Sequence, residues 1–281
     1  FRRVLFRSAM IETLITSRKN EMISHAAKLL SGAAARREQG AFLCEGARLC
    51  ADAAKSGMQI QKAFYTAHAA EKYSSYLSKI REKAENVYEI APHIAPLLSD
   101  TKQPQGIFCV CTLPCESEQT ETFLQTKASG CVVALEEIQD PANLGTVLRT
   151  AEALGEKAVL LCGKGCDPYS PKVLRGSMGA VFRLPMISIP NFAEAAPLLK
   201  KCGWTLWAAV PDSDVLAVTK ADFSKPSVMA VGNEGNGLSK ETIALCQPVT
   251  IPMLGRAESL NASASAAILL WEMMRGGASH E

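Results

Sequence analysis

The sequence predicts an α/β protein of two unequal domains, and three observations carry that reading. The chain of 281 residues is roughly twice the commonest domain size. Its second half runs as apolar, β-rich stretches without in/out alternation, each followed by a helical pattern, as a parallel sheet covered on both faces requires. Between the halves, residues 114–130 (PCESEQTETFLQTKASG) are polar and follow neither the helical nor the strand period. Domains over 10–115 and 129–281 are therefore expected, joined by a linker over 116–128.

Apolar residues at 48% and charged residues at 21% exclude a disordered or low-complexity chain. The formal charge is +2, but Arg2, Arg3 and Arg7 all fall in FRRVLFRSA. Residues 1–9 read as a leader foreign to the fold, with Met10 as the native start. Without that stretch 27 basic groups face 28 acidic ones, so bulk charge says nothing about a polyanionic partner and any such patch must be local. Val4, Leu5 and Phe6 are too short a run for a signal-peptide core, and no stretch approaches the ~18 apolar residues of a membrane span. A cytoplasmic protein with no membrane partner is expected. Ten cysteines without a CxxC read as reduced thiols. Neither Cys109, Cys111 and Cys115 nor Cys162 and Cys166 has a histidine near enough in sequence to complete a zinc set, so no metal is expected.

The front domain begins with an amphipathic helix (Ile23, Ala26, Ala27, Leu29, Leu30), then a strand at AFLCEG and a helix from Ala47 to Ser56. A short strand near Lys62–Tyr65, a helix over Ala69–Lys83 and a closing strand at GIFCVC complete it. The back domain alternates CVVAL, a helix over Ala142–Leu154, AVLLC, Pro171–Met178, MISI, Phe192–Cys202, WTLWAAV, VMAVG, Ser239–Cys246, VTIPM and a last helix from about Leu260 to Met274. Ligands on such sheets bind at the carboxyl ends of the strands.

Three loops at those ends carry polar residues. In Glu136–Gly155, Leu144, Val147, Leu148, Ala151 and Leu154 form a helical stripe, which sends Arg149 to the opposite, polar side. Asn143 stands where a helix cap would. In Ala230–Glu241 three glycines (Gly232, Gly235, Gly237) imply backbone conformations closed to other residues or a ligand against the main chain. The spacing fits neither a dinucleotide fingerprint nor a P-loop. Glu234 either caps amides there or anchors a cation. In Val249–Met273, Arg256 and Glu258 occupy a loop, and Ser259, Asn261 and Ser263 stand at a helix mouth as N-cap types. The helix that follows is apolar nearly all round, which suits burial against a second sheet or a second subunit.

DPANLGTVLRTAEALG, VGNEGNGLS and IPMLGRAESLNASASAAILLWE, in that order, resemble the three motifs of the SpoU-TrmH family of RNA ribose 2′-O-methyltransferases, in the SPOUT superfamily. SRKNEMISHAAKLL, GAFLCEGARL and DTKQPQGIFCV look like the ribosomal-protein-like RNA-substrate-binding domain that precedes the catalytic domain in many members. The resemblance implies a C-terminal parallel-sheet domain tied in a deep trefoil knot, S-adenosyl-L-methionine as cofactor, and a homodimer that completes the active sites. It places Gly232, Ile251, Met253 and Leu260 in the cofactor pocket. It makes Arg149 the catalytic arginine, and Asn143, Glu234, Ser259 and Asn261 the polar residues that position it and the ribose.

The residue inventory agrees with that chemistry. Methyl transfer to a hydroxyl is an in-line displacement, dominated by positioning. The family proposal makes the arginine the base. A guanidinium normally keeps its proton, so orientation of a phosphate and stabilisation of the developing alkoxide suit Arg149 better. The histidines do not offer an alternative: His25, His68 and His93 lie in the front domain and His280 is penultimate. The expected substrate is structured RNA, 23S ribosomal RNA ahead of tRNA, and not DNA. A non-catalytic RNA-binding protein is the rival from another class, with Arg18, Lys19, Lys28, Arg36, Arg37 and Arg48 as its basic face. The intact Arg149, Glu234, Ser259 and Asn261 speak against it.

Overall fold

A computed structural model describes residues 14–277 of the protein, so the leader expected over 1–9, Met10 and His280 lie outside the described residues. The chain divides into two compact units between Leu113 and Pro114.

The first unit contains β1 (Leu14–Ile15), α1 (Glu21–Lys28), α2 (Ala33–Gln39), β2 (Ala41–Glu45), α3 (Ala47–Lys55) and β3 (Ile60–Tyr65). It continues with α4 (Ala67–Lys72), α5 (Ser74–Lys83), β4 (Ala84–Ile90) and β5 (Ile107–Thr112). The sheet order is β1-β4-β3-β5-β2, with β5 antiparallel to both of its neighbours. One face, through Leu43, Phe64, Phe108 and Val110, packs on Ile23 and Ala26 of α1, on Leu29 just past its end and on the turn carrying Ile94 and Leu98. On the other face the Cys44 and Cys111 sulfurs lie 4.0 Å apart, and the Cys50 thiol of α3 reaches the Cys44 carbonyl. Burial first, and neighbouring thiols second, push Cys44 and Cys109 well above the ordinary thiol range, so these are inert packing groups.

This unit holds more than the sequence predicts. The helix expected over Ala69–Lys83 is two helices, broken at Tyr73 where φ is −119° and ψ 32°. Strand β4, in which Glu85, Asn86 and Glu89 interrupt the apolar residues, lacks the apolar run that marks its neighbours. The basic face loses a member: Arg36 is 4% exposed and donates to the Leu29 carbonyl at 2.7 Å, closing the end of α1.

The second unit contains α6 (Glu116–Gln125), β6 (Cys131–Glu136), α7 (Pro141–Ala153), β7 (Ala158–Cys162), α8 (Pro171–Ser177) and β8 (Met186–Ile189). Then follow α9 (Phe192–Lys201), β9 (Thr205–Ala209), β10 (Leu216–Ala217), β11 (Ser227–Val231), α10 (Lys240–Leu245), β12 (Gln247–Thr250) and α11 (Ala262–Gly276). All seven strands are parallel, in the order β10-β12-β9-β11-β6-β7-β8.

The segment expected as a linker over 116–128 is mostly helical and belongs to this unit. Phe123 of α6 stacks on Trp204 with ring centroids 6.0 Å apart, and the Cys202 thiol donates to the Leu124 carbonyl at 3.1 Å. Two apolar residues in ten were too few to show a helical period, yet they suffice to dock a short helix. Strand β12 covers Gln247–Thr250, so it begins before the expected VTIPM and stops short of its end.

Helix α7 positions the functional loops. Its stripe of Leu144, Val147, Leu148 and Ala151 is buried, as the spacing predicts. Asp140 caps it by accepting from the Ala142 amide at 2.8 Å, which removes Asn143 from the capping role. Helix α8 approaches so closely that a Cβ on Gly145 would lie 3.0 Å from the Gly176 Cα.

One buried carboxyl gives the fold a pH dependence. Burial raises the Glu156 pKa from 4.5 to about 8, and its Oε2 has no hydrogen-bond partner among the described residues. The folded state therefore holds a proton that the unfolded chain releases, so stability falls as pH rises from 4.5 to about 8. Glu156→Gln is expected to raise stability at pH 8 by on the order of a few kcal/mol and to change nothing near pH 4, as denaturant titrations at the two pH values would show.

Candidate active site

The loops following β9, β11 and β12, three adjacent strands, surround a cavity of about 400 Å³. Val210 and Pro211 form one wall, Gly232 to Leu238 a second, and Ile251, Met253, Ser259 and Leu260 a third. All four residues expected at a cofactor, Gly232, Ile251, Met253 and Leu260, line this one space.

The glycine loop owes its shape to contacts of its own backbone. Asn233 and Gly237 exchange both backbone hydrogen bonds, at 3.1 and 2.9 Å, and fold the loop back on itself. A Cβ on Gly232 would then sit 2.1 Å from the Gly237 carbonyl carbon, so no side chain fits. Gly237 itself has φ +67°. Asn233, which the sequence reading passed over, organises the turn: its Oδ1 accepts from the Gly235 and Asn236 amides at 2.8 and 3.2 Å. The same side chain donates to the Glu137 carbonyl at 2.8 Å. An asparagine with acceptors for the amides two and three residues on is a recognisable turn signal.

Glu234 ties three loops together. Its carboxylate accepts from the Gln139 and Asp140 amides at 3.1 Å each and from the Asn143 side-chain amide at 2.9 Å. Asn143 Oδ1 in turn accepts from Asn261 Nδ2 at 3.0 Å, and Asn261 caps α11 through the Ser263 and Ala264 amides. Partial burial pushes the Glu234 carboxyl up, but the donations from Asn143, Gln139 and Asp140 outweigh it and hold the group below the usual carboxylate range. Glu234 is therefore an ionised acceptor of three amide donors. Asn143 is 6% exposed, a network member and not a surface cap.

Arg149 stands apart from this network. It is exposed, and it borders a different hollow of about 480 Å³ together with Thr146, Thr150 and Trp271. Ser259 lies in an exposed loop at the first cavity. The structure thus joins Asn143, Glu234 and Asn261 directly, sets Ser259 beside them at the cavity, and leaves Arg149 on another face of α7.

A cavity at the carboxyl ends of a parallel sheet, walled by a self-folded glycine loop and buttressed by an ionised carboxylate, stands where open α/β sheets bind their small-molecule ligands. The SpoU rRNA methylase family profile matches residues 130–271, and that of the MRM3-like substrate-binding domain matches 20–109. An uncharacterized tRNA/rRNA methyltransferase of Synechocystis is 30% identical over 267 residues, covering 93% of each chain. The 23S rRNA (guanosine(2553)-2'-O)-methyltransferase RlmP of Bacillus subtilis is 28% identical, over 92% of this chain and 98% of its own. The AdoMet-bound rRNA methyltransferase of Sinorhizobium meliloti superposes with a TM-score of 0.82 at 27% identity, covering 94% of this chain and 97% of that one. The chain belongs to the SpoU rRNA methylase family.

Glu137 enters the site at a cost. It has φ +55° without being glycine, at the turn that aims the Gln139 and Asp140 amides at Glu234. Glu137→Gly is expected to relieve that strain and stabilise the protein by about 1 kcal/mol. Asn143→Ala is expected to do the reverse, by about 1–3 kcal/mol, because it strips both Glu234 and Asn261 of a partner. Thermal melts of the two variants would give shifts of opposite sign.

Proposed function

We propose that this protein transfers a methyl group from S-adenosyl-L-methionine to a ribose 2′-hydroxyl of structured RNA, with 23S ribosomal RNA as its substrate and the cytoplasm as its place of action. The observation that carries the proposal is the Asn143–Glu234–Asn261 network set against the Gly232 cavity. The cavity fits the cofactor: its volume of about 400 Å³ lies within the range of small-molecule sites, and it combines apolar walls at Leu238, Ile251 and Met253 with polar groups at Asn236 and Ser259. Relatives named as 23S rRNA 2′-O-methyltransferases support the substrate over tRNA.

The bound cofactor supplies an electrophilic methyl group. The chain's own residues do the rest. Gly232, Ile251, Met253 and Leu260 enclose the cofactor, and Glu234, fixed by three donors, keeps the loop that forms one wall in place. Asn143 and Asn261, engaged with Glu234 and with each other, position the loops on the ribose side, and Ser259, exposed at the cavity, faces the ribose. Arg149 orients the phosphate 3′ to the target ribose and stabilises the developing alkoxide; its guanidinium stays protonated throughout.

The catalytic unit is a homodimer in this proposal. Within one chain Arg149 borders a hollow separate from the cofactor cavity, and beside it α11 exposes Trp271 (51%) and Ile268 (39%). A second subunit seated on α7 and α11 covers that apolar surface and brings the arginine to a cofactor cavity. The knotted threading of the C-terminal chain is likewise part of the proposal: β12 follows β11 in sequence yet lies between β9 and β10, and α11 returns to pack on α7 and β6. An experimental electron-density map would trace that crossing directly.

With unmodified 23S rRNA, tRNA and DNA as separate acceptors, label from S-adenosylmethionine is expected in the 23S rRNA alone, as one alkali-resistant ribose. Arg149→Ala should cut single-turnover transfer by about 10²–10³-fold while cofactor affinity stays unchanged. A pH–rate profile for Arg149→Lys that matches the parent in both shape and height would remove Arg149 from the mechanism. Trp271→Asp should shift the sedimentation of the protein from dimer to monomer and abolish transfer with it.

A further inference from the structure

A glutamine at the surface ordinarily spends its side chain on water. Gln139 is exposed, yet all three of its N–H groups are committed to the protein. Its backbone amide donates to Glu234 at 3.1 Å, and its side-chain nitrogen donates to the Glu137 carbonyl at 3.1 Å and to the Lys164 carbonyl at 2.6 Å. The side chain is thus a strut between two stretches of backbone, the turn after β6 and the loop after β7. The proposed methyl transfer gives that side chain no task.

The turn needs a brace because it is strained. Glu137 holds φ +55°, a conformation that a residue with a Cβ keeps only where its surroundings over-determine it. Here the Glu137 carbonyl accepts two side-chain amides, Gln139 from its own loop and Asn233, at 2.8 Å, from the glycine loop. Two donors fill both lone pairs of a carbonyl oxygen. The far end of the strut is equally firm. The Cys166 amide donates to the Ile138 carbonyl at 2.8 Å, and a Cβ on Gly165 would lie 2.9 Å from that same oxygen. A Cβ on Gly163, which has φ +73°, would lie 2.8 Å from Glu137 Cγ. The loop after β7 is therefore fitted against the turn, and the glycines on either side of Lys164 are what let it approach.

What the strut holds is the aim of two amides. The Gln139 and Asp140 N–H groups are two of the three donors on Glu234, and the third, Asn143, carries the tie on to Asn261. A turn that relaxed at Glu137 would swing both amides off the carboxylate together. We propose that Gln139 is a positioning residue for methyl transfer: by bridging the Glu137 and Lys164 carbonyls, its side chain keeps the turn after β6 in the shape that aims two amides at Glu234, and so sets Asn143 and Asn261 on the ribose side. The loop after β7 thereby joins the site as a fourth loop. The proposal rests on the reading of that site as a ribose methyltransferase's. The glycine loop is closed by the Asn233 and Gly237 backbone hydrogen bonds in any case, so the cofactor wall stands without the strut. Its loss falls on transfer and not on binding.

Two variants of the full chain separate a donor from a filler. Gln139→Met has the same length and no N–H, whereas Gln139→Lys keeps N–H donors at about that reach. Single-turnover transfer to unmodified 23S rRNA is measured at saturating S-adenosylmethionine and RNA. Gln139→Met is expected to be about tenfold slower than the parent, with both affinities unchanged, and Gln139→Lys to recover most of the rate. An undiminished rate in Gln139→Met would overturn the proposal, as would equal rates in the two variants or a loss confined to KM. A second readout needs no RNA. The Glu234 carboxyl, assigned in ¹³C NMR spectra by its loss in Glu234→Gln, is expected to titrate at higher pH in Gln139→Met than in the parent, because donors to its ionised form have moved. Asp140, paired with Lys172 at 3.7 Å, and the Cys166 thiol stand beside it in both proteins, so a difference reports the amides. A common midpoint would overturn the proposal. Failure of the functional reading looks different: the parent protein would then methylate no RNA at all, while the Glu234 titration would still decide the role of Gln139.

Discussion

Strands β11 and β6 run side by side in parallel, in register from Ser227 and Cys131 to Val231 and Leu135, and so the chain leaves both of them at the same edge of the sheet. With paired strands about 4.8 Å apart, the loop after one must meet the loop after the other. Glu234 is what they meet through. A carboxylate that accepts two backbone amides and a side-chain amide from the neighbouring loop stays ionised and costs little to keep in place. Asn143 extends the tie to Asn261 and the start of α11, so three stretches far apart in sequence share one short hydrogen-bonded path. The cavity walls, the capping of α11 and the start of α7 all inherit their positions from that pairing.

The parts of the fold that were legible in the sequence are those where one physical requirement dominates. The apolar runs of β6, β7, β9 and β11 announce a sheet covered on both faces, and the stripe from Leu144 to Ala151 announces the buried side of α7. Strand-end loops rich in Gly and Asn locate the candidate site. What was not legible depends on choices between equally good local partners. Asp140 and Asn143 both suit a helix cap; Asp140 takes the position, and only tertiary contact with Glu234 explains why Asn143 is buried. Arg36 reads as a surface cation until the Leu29 carbonyl is seen waiting for it. Helix α6 rests on Phe123 and Leu124, whose partners Trp204 and Cys202 stand some eighty residues away.

Arg149 and the Gly232 cavity are set apart by the geometry of α7. Asn143 and Arg149 sit on the same helix, yet one is buried among loops while the other is exposed with its own hollow. An exposed guanidinium on a rigid helix has a fixed base and a mobile head. The glycine loop contrasts with it, locked by its own backbone before any ligand arrives.

Asn143 and Arg149 both ride on α7, and α7 approaches α8 closely at Gly145 and Gly176. That contact has an evolutionary consequence. Neither position can acquire a methyl group unless the helices move apart, and a wider helix pair would shift Asn143 off Glu234 and re-aim Arg149 together. The two glycines are thus epistatically coupled to residues they never touch. Drift at this helix crossing is constrained by the Asn143–Glu234 contact as much as by packing.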